Sequence, residues 1–300
     1  MTVNKMQYAH PEYLVETNWL ESNLNDPQLR IFDCSVNVVP NPDETQSMKI
    51  PFVYQSGRAN YEKAHIPNAG FIDIPGELSD KTSAIPLMLP SEQQFVEAIR
   101  RYGISQGNRV VLYSTTEPNW AARVWWMLNA FGFKNVAIVN GGWVKWCAEQ
   151  RPVSNATCAY ESGNFTANLQ TEFFMDKQNV LNAISQNETR IINSLPTPMH
   201  TGESDIVFGR KGRIANSVNV PFNSLHDPDS GCYLPAEQLQ EKFEAVKVRD
   251  AKQFITYCGG GIAASNNAFV LSLLGYKNVA VYDGSMLEWG NDASLPMEEG

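Results

Sequence analysis

The sequence predicts an α/β protein of two similar domains in tandem, each a mainly parallel sheet flanked by helices. Three observations lead there. Apolar runs of strand length alternate with runs of helical spacing, and in one chain that alternation makes parallel strands joined by helical crossovers. The same order of runs occurs twice. Finally, 300 residues are more than one ordinary core needs.

Taken in order, Pro11 to Leu24 has the spacing of a short helix and precedes a strand at Leu29-Arg30-Ile31-Phe32-Asp33-Cys34. A polar stretch rich in proline and asparagine then predicts a loop to about Gln46. Tyr61 to Pro75 forms a turn leading into a short strand. Pro90 to Tyr102 is helical, with Ser91 as its N-cap, and Arg109-Val110-Val111-Leu112-Tyr113 is a buried strand. Ala121 to Phe131 is a helix, and Asn135 to Val139 a strand closed by Gly141-Gly142-Trp143.

The pattern then returns. Gly132-Phe133-Lys134-Asn135-Val136-Ala137 recurs as Gly275-Tyr276-Lys277-Asn278-Val279-Ala280, an offset of 275 − 132 = 143. Tyr113 matches Tyr257, Leu89-Pro90 matches Leu234-Pro235, and Gly142 matches Gly284 at nearly the same offset. Matches that keep both order and spacing mean a duplicated domain. The division that follows is a first domain over 1–152, a polar linker over 153–168 and a second domain over 169–300.

An apolar fraction of 43% with seven tryptophans fills two cores, and the net charge of −9 argues against nucleic acid or an anionic membrane as the main partner. Trp125, Trp126, Trp143, Trp146 and Trp289 are expected in the packing. The five cysteines are odd in number and widely spaced. They form no C-x-x-C pair and stand at no zinc-ligand spacing with histidine, so no metal or cofactor is implied, and reduced thiols in the cytoplasm are expected. Met1 to Glu16 carries charges and lacks the apolar centre of a signal peptide. No apolar run reaches the ~18 residues of a membrane span.

The chemistry concentrates in Phe254-Ile255-Thr256-Tyr257-Cys258-Gly259-Gly260-Gly261-Ile262-Ala263-Ala264-Ser265, an apolar strand, a cysteine, three glycines and the start of an apolar helix. The glycines let the backbone fold tightly around the sulfur with N–H groups toward it, and the helix adds the positive end of its dipole. Both favour a thiolate, the nucleophilic form. Aligned on the repeat, Cys258 falls opposite Ser114 and its glycine loop opposite Thr115-Thr116-Glu117-Pro118-Asn119, so only the second copy carries a nucleophile. A cysteine phosphatase would need arginine six residues after the cysteine, where Ala264 stands, and a nucleotide-binding loop would need lysine after its last glycine, where Ile262 stands.

His65-Ile66-Pro67-Asn68-Ala69, Gly141-Gly142-Trp143, and Tyr257 to Ala264 with Val281-Tyr282-Asp283-Gly284-Ser285 and Glu288-Trp289 together resemble the tandem-domain rhodanese family of sulfurtransferases, over nearly the whole chain. The resemblance implies two packed rhodanese-like domains with the cysteine loop of the second at the cleft between them. It implies that Cys258 carries sulfur as a persulfide, cradled by the amides of Gly259, Gly260, Gly261, Ile262 and Ala263. The donor is then a small anion, thiosulfate or 3-mercaptopyruvate, and the acceptor cyanide or a thiol, protein thiols included.

The loop C-G-G-G-I-A lacks both the basic residues of thiosulfate-type loops and the hydroxyls of mercaptopyruvate-type loops. A family arginine is replaced at Leu195 in Ile192-Asn193-Ser194-Leu195. Arg210 and Arg213 are the expected replacements for binding the donor, with Lys211 between them and Arg58 as a candidate from the first domain. His65 is expected to satisfy turn carbonyls, and Asp283 and Ser285 to support the cysteine loop. The expected activity is sulfur transfer from thiosulfate. The alternatives are 3-mercaptopyruvate sulfurtransferase and, from another class, a persulfide-binding or interaction module without turnover.

Overall fold

The computed structural model of the protein describes residues 6–300; the first five residues, where the reading of the N-terminus begins, lie outside the described residues. Two five-stranded sheets carry the chain. In the first, Leu14–Val15, Val136–Val139, Arg109–Tyr113, Leu29–Asp33 and Ala69–Phe71 lie side by side in that order, all parallel. In the second, Phe174–Met175, Val279–Tyr282, Gln253–Tyr257, Thr189–Asn193 and Val218–Asn219 repeat the order, again all parallel. The central strands are buried on both faces, which is why they read as continuous β-branched and apolar runs.

The duplication extends to single hydrogen bonds. The Tyr113 hydroxyl accepts from the Ile66 amide at 3.2 Å, and the Tyr257 hydroxyl from the Ile214 amide at 3.1 Å. Between the sheets, the helices Asn119–Ala130 and Ile262–Leu273 pack against each other, with Trp125 edge-on to Phe269 at 4.9 Å. These are corresponding helices of the two copies. Nearly every residue of both is buried, so neither sequence keeps a polar face. Burying one large apolar side chain stabilises by about 1.5–3 kcal/mol, and this contact holds the domains together through many of them.

Two local expectations change. Pro11 to Leu24 is not one helix. Pro11–Tyr13 is a single 3₁₀ turn, Leu14–Val15 extends to pair with Ile138 and Val139, and the α-helix is Thr17–Asn23. The stretch expected as loop holds a β-hairpin, with Val36–Pro40 antiparallel to Phe52–Ser56. Its β-branched and aromatic residues, Val36, Val38, Val39, Val53 and Tyr54, favour extended pairing. Of the prolines and asparagines that suggest a loop, Asn41 and Pro42 lie beyond the strand at its tip, while Asn37 and Pro40 are paired within it.

Residues 153–168 form neither helix nor longer strand, yet they are bound along the first domain. Ser154 and His65 exchange both backbone hydrogen bonds, at 2.8 and 2.9 Å. The Tyr160 hydroxyl donates to the Asn68 carbonyl at 2.6 Å, Arg100 donates to the Phe165 carbonyl at 2.8 Å, and Phe165 is buried between Phe95 and Phe133. The segment is a strap. Phe165→Ala is expected to lower the unfolding free energy by about 3–5 kcal/mol, the usual loss for a fully buried phenylalanine. Urea denaturation measures it, and a loss under about 1 kcal/mol would mean that the strap adds little.

Candidate active site

Cys258 follows the last residue of strand Gln253–Tyr257, at the carboxyl end of the second sheet, where α/β folds place their ligands. Gly261, at φ +77, turns the chain into helix Ile262–Leu273. That left-handed conformation is one that glycine adopts without steric cost. The glycines also sit where nothing larger fits. A Cβ on Gly259 would lie 2.4 Å from the Phe208 ring, one on Gly260 2.9 Å from Leu287, and one on Gly261 2.6 Å from Asp283 Oδ1.

The loop is fastened from the turn at Asp283-Gly284-Ser285. The Ser285 hydroxyl accepts from the Cys258 amide at 3.0 Å and the Gly261 amide at 3.1 Å, and donates to the Tyr282 carbonyl at 2.8 Å. The carbonyls of Cys258 and Gly259 accept from the amides of Met286 and Leu287 at 3.0 and 2.8 Å. In a trans peptide the N–H points opposite to the C=O, so the Gly259 and Gly260 amides face away from that turn. No acceptor among the described residues takes the amides of Gly259, Gly260, Ile262 or Ala263. Four free donors and a helix N-terminus beside one sulfur stabilise negative charge there.

Asp283 reaches the other way. Its Oδ1 accepts from Arg123 Nη1 at 2.6 Å, an ion pair with side-chain exposures of 7% and 0%, and its Oδ2 accepts from the Leu89 amide at 2.6 Å. Arg123 also donates to the Leu87 carbonyl at 2.9 Å. Both Arg123 and the Leu87–Leu89 segment belong to the first domain, so the turn that holds the cysteine loop is fastened across the domain boundary.

A rhodanese-like domain pattern matches residues 16–149 and again 180–292. The chain belongs to the rhodanese family of sulfurtransferases. It is 31% identical over 288 residues to the 3-mercaptopyruvate sulfurtransferase of Escherichia coli K12, covering 95% of this chain and 98% of that protein. It is 33% identical over 285 residues to the thiosulfate sulfurtransferase of Mus musculus, covering 92% and 91%. The crystal structure of the Escherichia coli 3-mercaptopyruvate sulfotransferase SseA superposes with a TM-score of 0.77 at 29% identity, over 91% of this chain and 98% of that one.

The first rhodanese domain has the same loop without the chemistry. Ser114 stands opposite Cys258, and its hydroxyl lies 3.2 Å from the Thr116 hydroxyl and 3.4 Å from that of Ser35. One match of the repeat moves by a residue: the Trp143 amide reaches the Ser114 carbonyl as the Met286 amide reaches that of Cys258, so Gly142, at φ +50, stands opposite Ser285 rather than Gly284. Ser285 keeps the same left-handed backbone at φ +48 despite its Cβ. A non-glycine residue held there is strained, and what the second domain gains is the hydroxyl that pins two loop amides.

Arg210 and Arg213, expected to bind the donor, are occupied elsewhere. Arg210 donates to the carbonyls of Trp289, Gly290, Asp292 and Leu295 at 2.6 to 3.1 Å and so ties down the end of helix Ser285–Trp289. Arg213 donates to the Gly300 carbonyl at 2.6 Å, pairs with Glu298 at 3.4 Å, and joins burial in holding His200 down to about 4. Arg58 lies over the Phe71 ring at 4.8 Å and lines a first-domain cavity with Tyr61, Cys158 and Tyr160, away from the cysteine loop. His65 fills its turn, with its ring nitrogens 2.7 Å from the Tyr61 carbonyl and 3.1 Å from that of Ala156. Four of the five tryptophans are buried, and Trp143 stacks on Tyr113 at 6.3 Å.

The cover of the rhodanese loop comes from residues distant in sequence. Cys258 is 3% exposed. Phe208 lies on Gly259, Phe52 from the first-domain hairpin lies 6.3 Å from Phe208, and Tyr54 is close enough that burial first, then the Cys258 sulfur, push its phenol up. A narrow cavity lined by Leu195, Phe208, Met286, Arg210 and Lys211 adjoins the loop through Phe208, and no residue of the loop itself lines it. Lys211 makes no side-chain hydrogen bond or ion pair among the described residues. A wider cavity, about 580 Å³, opens at the amino ends of the second sheet among Trp126, Glu188, Lys252 and Tyr276, and no cysteine-loop residue lines it.

Ser285→Gly suits the left-handed backbone and removes the hydroxymethyl group that carries the hydroxyl. With two buried amides left unpaired, it is expected to cost about 1–3 kcal/mol of stability and to slow the reaction of Cys258 with thiosulfate. Urea denaturation and a loading time course measure the two effects. A variant equal to the parent in both would show that the hydroxyl does not hold the loop.

Proposed function

We propose that the protein takes sulfane sulfur from thiosulfate onto Cys258 and passes it to cyanide or a thiol. The observation that carries this reading is the set of amides at Gly259, Gly260, Ile262 and Ala263 without protein acceptors around a single strand-end cysteine, which the other domain replaces with Ser114. The amides suit an anionic sulfur that must be held both before and after it is loaded.

In the first half-reaction the Cys258 thiolate attacks the outer sulfur of thiosulfate. The S–S bond of the donor breaks, its electron pair leaves on sulfite, and a Cys258 persulfide remains. In the second, cyanide attacks the outer sulfur of that persulfide, thiocyanate leaves, and the Cys258 thiolate is restored. A thiolate acceptor acts in the same way and departs as its own persulfide. No oxidant, metal or cofactor enters either balance, and two separate half-reactions give ping-pong kinetics.

Lys211 takes over the donor-binding role expected of Arg210 and Arg213, since it is the uncommitted cation among the residues lining the narrow cavity under Phe208, the ring that covers Gly259. The reading places the protein in the cytoplasm, where thiols stay reduced between turnovers, with neither nucleic acid nor membrane as a partner.

Intact mass after incubation with thiosulfate, donor removal and then cyanide tests the reading. One added sulfur is expected on Cys258, discharged by cyanide and absent in Cys258→Ser. No uptake from thiosulfate would reject that donor, and faster uptake from 3-mercaptopyruvate would assign the other one. Lys211→Ala is expected to raise KM for thiosulfate about threefold to fivefold, the effect of one partly screened charge, with kcat little changed. An unchanged KM would remove Lys211 from the site.

A further inference from the structure

Sulfur transfer requires a donor to touch a sulfur that this structure encloses. Cys258 is 3% exposed, and the narrow cavity under Phe208 and Met286, about 10 Å³ and room for about one water, is lined by no residue of the cysteine loop and offers thiosulfate no way in. Some part of the cover must move, and it has two parts. The hairpin Val36–Pro40/Phe52–Ser56 is paired along five residue pairs, is anchored at its base by the Gly57 amide on the Ser35 carbonyl at 3.0 Å, and sets Tyr54 against Trp120. It is the firmer part.

The other part is the segment 203–208, which forms no helix or longer strand and carries Phe208 onto Gly259. Gly202 and Gly209, both at φ +87, stand at its two ends. Beyond these, helix Thr197–Thr201 holds one side, and Arg210, bound to its four carbonyls, holds the other. Within the segment the hydrogen bonds are local: the Ser204 amide donates to the Pro198 carbonyl and the Ile206 amide to the Ser204 hydroxyl. Its link to the first domain is the Gly209 amide on the Met48 carbonyl at 2.6 Å, with the Phe52 ring against Phe208. Ile206 is 47% exposed, so half of that side chain adds nothing to holding the segment closed.

We propose that Phe208 is the gate of the site: the segment 203–208 swings about Gly202 and Gly209, and the Phe208 ring sets which donors and acceptors reach Cys258 and how fast. The proposal rests on Cys258 being the reacting sulfur, but its test needs no sulfur donor. Fixed ends with a locally bonded middle are what a hinged lid requires. An aromatic ring in contact with the loop selects by size, because a ring displaced a little admits a small molecule before a large one.

The test is the rate at which Cys258 in the full-length reduced protein is alkylated by iodoacetamide and by a bulky fluorescein maleimide, mapped by peptide mass so that the other cysteines do not count. In the parent, the rate is expected to level off with reagent concentration as opening becomes limiting, and the bulky reagent to lag. Phe208→Ala is expected to raise the iodoacetamide rate about tenfold, as loss of cover exposes a locally closed site, and the bulky rate by more, so that the size preference shrinks. Phe208→Leu, which keeps an apolar cover and the fold, is expected to fall between. If Phe208→Ala does not fold, the leucine variant and the levelling of the parent rate decide. Parent-like rates and size preference in the folded variants, or a parent rate that never levels, would overturn the gate. Failure to take up sulfur while the alkylation pattern holds would reject the donor assignment and leave the gate standing.

Discussion

The buried ion pair between Arg123 and Asp283 is the contact on which the geometry of the sulfur site depends. Two charges taken out of water carry a desolvation cost of several kcal/mol each, recovered only while every partner stays in place. Here both Asp283 oxygens and both Arg123 terminal nitrogens are engaged; two of the bonds cross the domain boundary, and the third ties Arg123 to Leu87 within the first domain. Asp283 also begins the turn whose next residue but one, Ser285, holds the Cys258 and Gly261 amides. A shift of the domains against each other would therefore leave a buried charge without its partner before it disturbed the cysteine. Gly261 belongs to the same constraint, since a side chain there would meet Asp283 and Arg123 together.

The two copies meet through equivalent surfaces with unequal chemistry. Where the second domain has Asp283 receiving the Leu89 amide, the first has Asn140 receiving the Tyr233 amide at 3.0 Å. Where the first has Arg123, the second has neutral asparagines, and Asn266 accepts from the Tyr233 hydroxyl at 2.8 Å. One side of the boundary is charged and grips the loop with Cys258; the other is neutral and grips the loop with Ser114. The first domain thus contributes no reacting atom that its sequence marks, yet it supplies the arginine, the Leu87–Leu89 segment and the hairpin that together fix and cover the working loop.

Features written within a few adjacent residues were legible in the sequence. The strand, cysteine, glycine run and helix announce themselves locally, and the repeated order of elements gave the two parallel sheets and the loop that lacks the nucleophile. His65 before Pro67 was correctly placed in a turn. What escaped was set by contacts between distant residues. Arg210 and Arg213 have the chemistry of anion binders, but their positions put carbonyls of 289–295 and the chain end within reach first. Arg123 lies inside an apolar helix, where nothing local pairs it with a residue 160 positions away. The hairpin is hidden because Pro40, Asn41 and Pro42 give the stretch the composition of a loop, while the alternation of Val36, Val38 and Tyr54 is split between two short strands.

The most direct test of this dependence is amide hydrogen exchange of the stretch 257–263 in full-length Arg123→Met beside the parent protein. If the ion pair fastens the cysteine loop to the first domain, the Cys258 and Gly261 amides will exchange at least about tenfold faster in the variant, because breaking one partner of a buried pair removes several kcal/mol of local stability. Parent-like exchange at those amides in a folded variant would contradict the account, and would show that Ser285 holds the loop without help from across the domain boundary.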